Sequence, residues 1–291
     1  MERVSVIGFG EAGAALASRG WRGYDRKTDF ARLRNAKLAD FADVGVEACS
    51  SAADALERAD AVLSLVTADQ ALAVAENGGR SLPPGVLWFD MNSVAPDTKR
   101  AAAHFVEAGG GRYVDVAVMA PVHPKRRAVP LLVSGQHAAV AAATLRRIGF
   151  LDVTTIDGPV GAASSIKMIR SVMVKGLEAL TAECFLAAEA AGVCDAVTAS
   201  LDASWRDECW AAKADYNLER MMEHGTRRAA EMEEVVRTLD ALGTGSAMSR
   251  STAERQRTIG GMRMIPPAGL VMKLRSLLPS RQTIAKQDQA A

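Results

Sequence analysis

Aromatic residues are scarce: seven Phe, four Trp and three Tyr make up 5% of 291 residues. Charge of either sign is not in excess, with 35 Lys and Arg against 34 Asp and Glu. A chain so balanced has no electrostatic case for nucleic acid or for an anionic membrane surface. No apolar run reaches the length of a membrane span. Met1 leads straight into a strand-like segment, so no signal peptide is expected. The four cysteines, Cys49, Cys184, Cys194 and Cys209, form no C-x-x-C pair. They read as reduced thiols in a cytoplasmic protein. Four scattered histidines offer no metal-ligand cluster, and no metal is expected. An alanine-rich, aromatic-poor chain of this kind suits a helix-rich enzyme.

What is present is a glycine pattern at the start. Residues Val4 to Gly13 read V-S-V-I-G-F-G-E-A-G, with Gly8, Gly10 and Gly13 in G-x-G-x-x-G spacing after a β-branched run. In a strand–turn–helix, Gly8 permits the tight turn and Gly10 lets a pyrophosphate approach the backbone. Gly13 lets helix and strand pack closely. The N–H groups of Phe9, Glu11 and Ala12 then line a phosphate site at a helix N-terminus.

The first half alternates strand and helix. Strands are expected at Arg3–Gly8, Trp21–Asp25, Val46–Cys49, Ala61–Val66, Val86–Met91, Tyr113–Val118, Leu131–Ser134 and Val153–Ile156. Helices are expected at Glu11–Arg19, Phe30–Asp43, Ala52–Ala59, Asp69–Asn77 and Asp97–Ala108. This is a doubly wound α/β pattern, a Rossmann domain over residues 1–160. Ala162–Ala191 has no proline and apolar residues at helical spacing, a helix of about 45 Å. Two or three further helices, one over Asp215–Leu242, complete an all-helical domain at 161–279. A polar tail follows at 280–291, where fraying is expected.

With these motifs placed, the chain resembles the β-hydroxyacid dehydrogenase superfamily, which includes 6-phosphogluconate and 3-hydroxyisobutyrate dehydrogenases. The runs G-F-G-E-A-G, Y-D-R-K, L-S-L-V-T, D-M-N-S-V-A-P, M-A-P-V-H-P and S-S-I-K-M-I-R-S are similar to those of one bacterial subgroup. Its members are described as NAD-binding phosphogluconate dehydrogenases with a C-terminal domain of unknown function. The resemblance covers nearly the whole chain up to about Gly261. It implies a Rossmann domain, a helical second domain, a homodimer, and a general acid/base lysine early in the long interdomain helix. Lys167 stands at that position. A lysine in a partly dry cleft beside a cationic nicotinamide has its pKa lowered toward working pH. Ser164, Lys167, Ser171, Lys175 and Glu178 share one helix face, which suits a cleft lining or the solvent face equally, while Ile166, Ile169, Met173, Leu177 and Leu180 on the other are placed to pack as core.

The chain departs from the superfamily pattern in two places. Ser171 replaces an asparagine one turn after the lysine. Met119-Ala120-Pro121 replaces the S-G-G loop that binds a substrate carboxylate, and proline removes an N–H donor. Val122-His123-Pro124-Lys125-Arg126-Arg127 follows. Met119, Ser164, His123 and one of Lys125 or Arg126 are therefore the expected contacts to a different anionic or polar substrate. The first crossover is also short. Only about a dozen residues separate Gly13 from Asp25, against the ~20 of the fingerprint, so the adenosine pocket is compact or the second strand frayed.

Asp25 suits a ribose 2′-OH and hence NAD, whereas Arg26 and Lys27 suit a 2′-phosphate. Two cations beside one acid favour NADP over NAD. Strand ends at Leu65-Val66-Thr67 and Asn92-Ser93-Val94 face the cleft edge, which makes Val66, Thr67 and Asn92 further cofactor contacts. The sequence as a whole points to an NAD(P)-dependent oxidoreductase acting on a hydroxyl or carbonyl carbon of a small molecule, with Lys167 shuttling the proton. A decarboxylating phosphogluconate-type dehydrogenase and a non-catalytic dinucleotide-binding protein are the alternatives.

Overall fold

A computed structural model describes residues 2–205 and 209–278; the tail expected at 280–291 lies outside the described residues. Eight strands form one sheet in the order β3-β2-β1-β4-β5-β6-β7-β8. They are β1 (Val4–Ile7), β2 (Arg22–Tyr24), β3 (Glu47–Ala48), β4 (Ala61–Ser64), β5 (Leu87–Asp90), β6 (Arg112–Val118), β7 (Leu131–Ser134) and β8 (Val153–Thr155). All neighbours pair in parallel except β6 and β7. Between them run α1 (Glu11–Leu16), α2 (Ala31–Val44), α3 (Ala52–Leu56), α4 (Ala71–Gly79), α5 (Pro96–Ala108) and α6 (Ala138–Arg147). The chain leaves β1 in one direction to β2 and β3, then returns to β4 on its other side. That reversal opens a crevice at the strands' C-terminal ends, where ligands of such sheets bind.

Side-chain alternation explains why helices cover both faces. Leu87 and Phe89 of β5 enter one core with Val4, Val6, Leu63, Val114 and Val116, while Trp88 enters the other with Ile7, Val62 and Tyr113. Successive strand residues point to opposite faces, so an unbroken apolar strand demands a cover on each.

The short first crossover closes without fraying. α1 is only six residues, and β2 pairs with β1 along its whole length, Ser5 with Arg22 through Ile7 with Tyr24. α6 was not among the expected helices; Gly135 and Gly149, both at positive φ, bracket it.

The chain divides into two compact units between Ile169 and Arg170, inside α7 (Ala162–Ala191). The second unit holds the rest of α7 with α8 (Cys194–Ser204), α9 (Trp210–Ala241), α10 (Ala247–Gly261) and α11 (Leu270–Leu277). Four helices thus follow α7 among the described residues, where two or three were expected, and α9 begins five residues before Asp215. Phe185, Leu218, Met221, Met222 and Leu274 centre its core. α9 and α10 approach at Gly225 and Gly260, where a Cβ on Gly225 would meet Gln256 O at 2.4 Å.

One expectation is reversed along α7. Ile166, Ile169, Met173 and Leu180 are exposed, Met173 by 64%, whereas Ser164, Ser171, Lys175 and Glu178 are buried. The polar face goes inside because its groups find partners. Arg228 holds Glu178 bidentately, Gln256 donates to Glu178 at 2.8 Å, and Lys175 pairs with Glu231 at 2.7 Å. Buried charge is tolerated when paired and hydrogen-bonded.

Candidate active site

The glycine turn is built as its spacing requires. Gly8 sits at φ +92°, and a Cβ there would lie 2.5 Å from Leu65 O; one on Gly13 would lie 2.4 Å from Gly8 O. Around Gly10, by contrast, nothing stands within 4 Å of where a Cβ would be. Two glycines are therefore needed for packing, and the third leaves open room for a ligand. The intervening Phe9 is held from three sides. Its N–H donates to Asp25 Oδ2 at 2.8 Å, its carbonyl accepts from Lys37 Nζ at 2.7 Å, and its ring stacks on Phe41 with centroids 4.0 Å apart. Glu11 is exposed and Ala12 half-buried on the first turn of α1. Lys37 and Phe41 carry no motif, and sequence reasoning missed them.

Asp25 follows β2 and is 8% exposed. Besides Phe9 N, its carboxylate accepts from Lys27 N at 2.9 Å and caps the next turn. The acid is thus committed to the loop's shape, while Arg26 and Lys27 are exposed. Arg26 donates to Gln70 Oε1 at 2.8 Å, from beyond β2 to beyond β4. Nearby, Thr67 is exposed, and hydrogen bonds from Thr67 and Gln70 hold the Asp69 carboxyl below its usual range. Tyr24 is pushed up to about 12 by burial, then by its hydrogen bond to Asp29.

Asn92 faces inward, 4% exposed. Its Oδ1 accepts from Val66 N at 2.7 Å, and its amide donates to Ser64 Oγ at 3.0 Å and Asp90 Oδ1 at 2.8 Å. It ties the ends of β4 and β5 together and fixes Val66 at the cleft edge. The next residue, Ser93, accepts from Lys167 Nζ at 2.6 Å. The structure therefore brings Lys167 to the C-terminal end of β5, through Ser93, which was not among the expected site residues.

The start of α7 is fixed by a buried carboxylate on β6. Asp115 Oδ2 accepts from Gly161 N at 3.0 Å and Ser164 N at 3.1 Å, and Oδ1 accepts from Ser164 Oγ at 2.5 Å. Ala163 N donates to Ser134 Oγ at 3.0 Å, and Ala162 N to Pro159 O at 3.1 Å. Ser164, expected against substrate, is 2% exposed with its hydroxyl given to Asp115. Ser171 is likewise buried, in the helical unit.

Met119 N donates to Pro130 O at 2.9 Å, extending the β6–β7 pairing. With Pro121 lacking an N–H, Met119-Ala120-Pro121 keeps little of a carboxylate-binding loop. His123 and Lys125 are exposed. Arg126 reaches Ala15 O with Nε at 3.3 Å, and Arg127 donates to Ile148 O at 2.8 Å beside the Trp21 ring.

A glycine turn with room at Gly10, an acid after β2 and a crevice at the reversal of strand order define a dinucleotide-binding Rossmann protein. Comparison with known proteins agrees. Residues 3–150 match the family described as the NAD binding domain of 6-phosphogluconate dehydrogenase, and residues 188–259 match a Domain of unknown function (DUF1932). The chain belongs to the 6-phosphogluconate dehydrogenase NAD-binding family, within the β-hydroxyacid dehydrogenase superfamily. A conserved hypothetical protein from Sinorhizobium meliloti is 35% identical, with 96% of this chain and 97% of that one covered and a TM-score of 0.72. An uncharacterized 28.5 kDa protein in the 7S RNA 5′ region of Methanothermus fervidus is 29% identical over 66% of this chain and 73% of its own. The 3-hydroxyisobutyrate dehydrogenase of Mycobacterium tuberculosis, solved with L-serine, shares the fold at 17% identity and a TM-score of 0.73, over 96% of this chain and 100% of that one. No helix among the described residues is long and apolar enough to cross a membrane.

Proposed function

We propose that the protein is an NAD(P)-dependent dehydrogenase or reductase acting on a hydroxyl or carbonyl carbon of a small polar or acidic substrate. The observation that carries this reading is Lys167 donating to Ser93 at 2.6 Å, at the C-terminal end of β5. Gly8 to Gly13 would hold the pyrophosphate over the open space at Gly10, with Val66, Thr67 and the Asn92-braced strand ends along the rest of the dinucleotide. When bound, the nicotinamide supplies hydride acceptance or donation. Lys167 as free amine removes the substrate hydroxyl proton, and as ammonium returns one to a carbonyl oxygen. Ser93 Oγ orients the lysine head.

The exposed Arg26 and Lys27, with Asp25 turned inward, support NADP over NAD. His123, with Lys125 or Arg126, and Met119 form the proposed substrate side. Few N–H donors remain at residues 119–121, which argues against recognition of a small β-hydroxyacid by its carboxylate. The exposed stripe Ile166, Ile169, Met173 and Leu180 supports a homodimer. Four unpaired cysteines suit the cytoplasm. The loss of the carboxylate-binding loop at Met119-Ala120-Pro121 also favours a second reading, a dinucleotide-binding protein without turnover.

The test is oxidation of a panel of polyols and hydroxyacids, phosphorylated ones included, followed by nicotinamide absorbance for wild type and Lys167→Ala. The oxidoreductase reading expects turnover that Lys167→Ala abolishes with cofactor binding kept. Turnover unchanged in Lys167→Ala removes the lysine from the mechanism. Release of carbon dioxide with hydride transfer marks the decarboxylating variant.

A further inference from the structure

Lys99 is a charged residue that the proposed reaction does not use. It lies on α5 and is 1% exposed, between two carboxylates that are fully buried, Asp90 on β5 and Asp115 on β6. Its ammonium donates to Asp90 O at 2.5 Å and Asp90 Oδ1 at 3.0 Å, and stands 3.5 Å from Asp115 Oδ1. Tyr113 OH donates to Asp90 Oδ2 at 2.6 Å, and Ser134 Oγ to Asp115 Oδ2 at 3.0 Å. Burying charge is costly unless every partner is in place, and the sheet core alone would be served by apolar residues here.

The two carboxylates lead to the two halves of the Lys167–Ser93 contact. Asp90 Oδ1 accepts from the backbone N–H of Asn92 at 2.9 Å and from its amide at 2.8 Å, which sets the strand end carrying Ser93. Asp115 grips the first turn of α7 through Gly161 N, Ser164 N and Ser164 Oγ. Ser164 is three residues before Lys167, one turn away on the same face. Lys99 joins both carboxylates, so the helix bearing Lys167 and the strand end bearing Ser93 share one buried anchor.

We propose that Asp115, tied to Asp90 through Lys99, is a positioning residue: by clamping Ser164 it sets Lys167 against Ser93. The inference rests on the reading of Lys167 as the proton shuttle, but its test does not depend on knowing the substrate. Solvent-accessible lysines are reductively methylated with ¹³C-formaldehyde under conditions that leave the buried Lys99 unmodified, and the Lys167 resonance is identified by its absence in Lys167→Arg. Its titration is then followed in wild type, Ser164→Ala, Ser164→Thr, Asp115→Asn, Ser93→Ala and the Ser93→Ala/Ser164→Ala pair. Melting temperature and NADPH affinity are measured alongside.

The expected result is a shift of about half a pH unit or more in Ser164→Ala and Ser93→Ala, with no further shift in the pair, since both variants break one contact. Ser164→Thr, which keeps the hydroxyl, returns the wild-type titration. Asp115→Asn, where it folds, moves Lys167 in the same direction as Ser164→Ala. A folded Ser164→Ala protein whose Lys167 titrates as in wild type overturns the proposal. Additive shifts in the pair also overturn it, because Ser164 then acts by another route. Turnover that survives Lys167→Ala overturns the catalytic reading instead, and leaves the positioning result standing as measured.

Discussion

Lys167 Nζ donates to Ser93 Oγ at 2.6 Å, although 74 positions separate them in sequence. The contact joins the first turns of α7 to the end of a central parallel strand. It turns a lysine on a helix face into a group held at the edge where the cofactor of such sheets reacts.

If that lysine moves the proton, its removal lowers turnover without loosening the dinucleotide. Lys167→Ala is expected to reduce kcat by about 10²–10⁴-fold, the usual range for a general acid or base. NADPH affinity, read by fluorescence titration, stays at the wild-type value. Ser93→Ala is expected to give a smaller loss in the same direction.

The glycines separate folding from binding. A Cβ on Gly13 would meet Gly8 O at 2.4 Å, whereas one on Gly10 meets nothing within 4 Å. Gly13→Ala is therefore expected to lower the melting temperature and to weaken the cofactor. Gly10→Ala leaves the melting temperature unchanged, yet weakens NADPH by about tenfold or more by filling the pyrophosphate's approach. Calorimetry on both variants, with and without NADPH, checks the contrast.

The proposed preference for NADPH rests on the two exposed cations after β2, Arg26 and Lys27. Arg26→Ala with Lys27→Ala is expected to reduce NADPH affinity by about tenfold while NADH changes little, since only the 2′-phosphate loses its partners. Parallel titrations with the two nucleotides read the ratio. Equal losses for both would assign the pair to the loop's structure.

The buried ion pairs are sensitive to losing one partner. Glu178→Ala leaves the Arg228 guanidinium buried without its carboxylate, and Lys99→Met leaves Asp90 and Asp115 facing each other unpaired. Each is expected to cost about 3–5 kcal/mol, measured by urea denaturation. Replacing Glu178 and Arg228 together by apolar residues is expected to recover most of that loss.

Tyr24 gives a pH dependence at the alkaline end. Its pKa is raised to about 12, by burial first and then by Asp29. A phenol whose folded pKa exceeds its unfolded value, about 10, stabilises the fold while protonated. That contribution is full below pH ~10 and is lost as pH rises through about 12. Tyr24→Phe is expected to remove the component titrating near 12 from the tyrosinate absorbance and to flatten the alkaline loss of stability.

The glycine turn and the acid after β2 were legible because their signals are local. A tight turn needs glycine at fixed spacing, and the acid must follow the second strand, so Gly8, Gly10, Gly13 and Asp25 declare themselves in a short stretch. The short crossover, read as a possible defect, is accommodated because β2 pairs fully with β1. The buried clamp was not legible. Asp90, Lys99, Asp115 and Ser164 are common residue types spread over more than seventy positions, and only the sheet order brings them together. On α7, periodicity correctly separated a polar from an apolar face but not which of them turns inward. That depends on Asp115, Arg228 and Glu231, which lie on other elements.

Fluorescence titration of the purified protein with NADPH and NADH shows whether the glycine turn still takes a dinucleotide. The proposed function predicts saturable binding, tighter for NADPH, that Gly10→Ala weakens and Lys167→Ala leaves intact. No binding of either nucleotide by the folded protein would contradict it, leaving a Rossmann fold that has lost its chemistry.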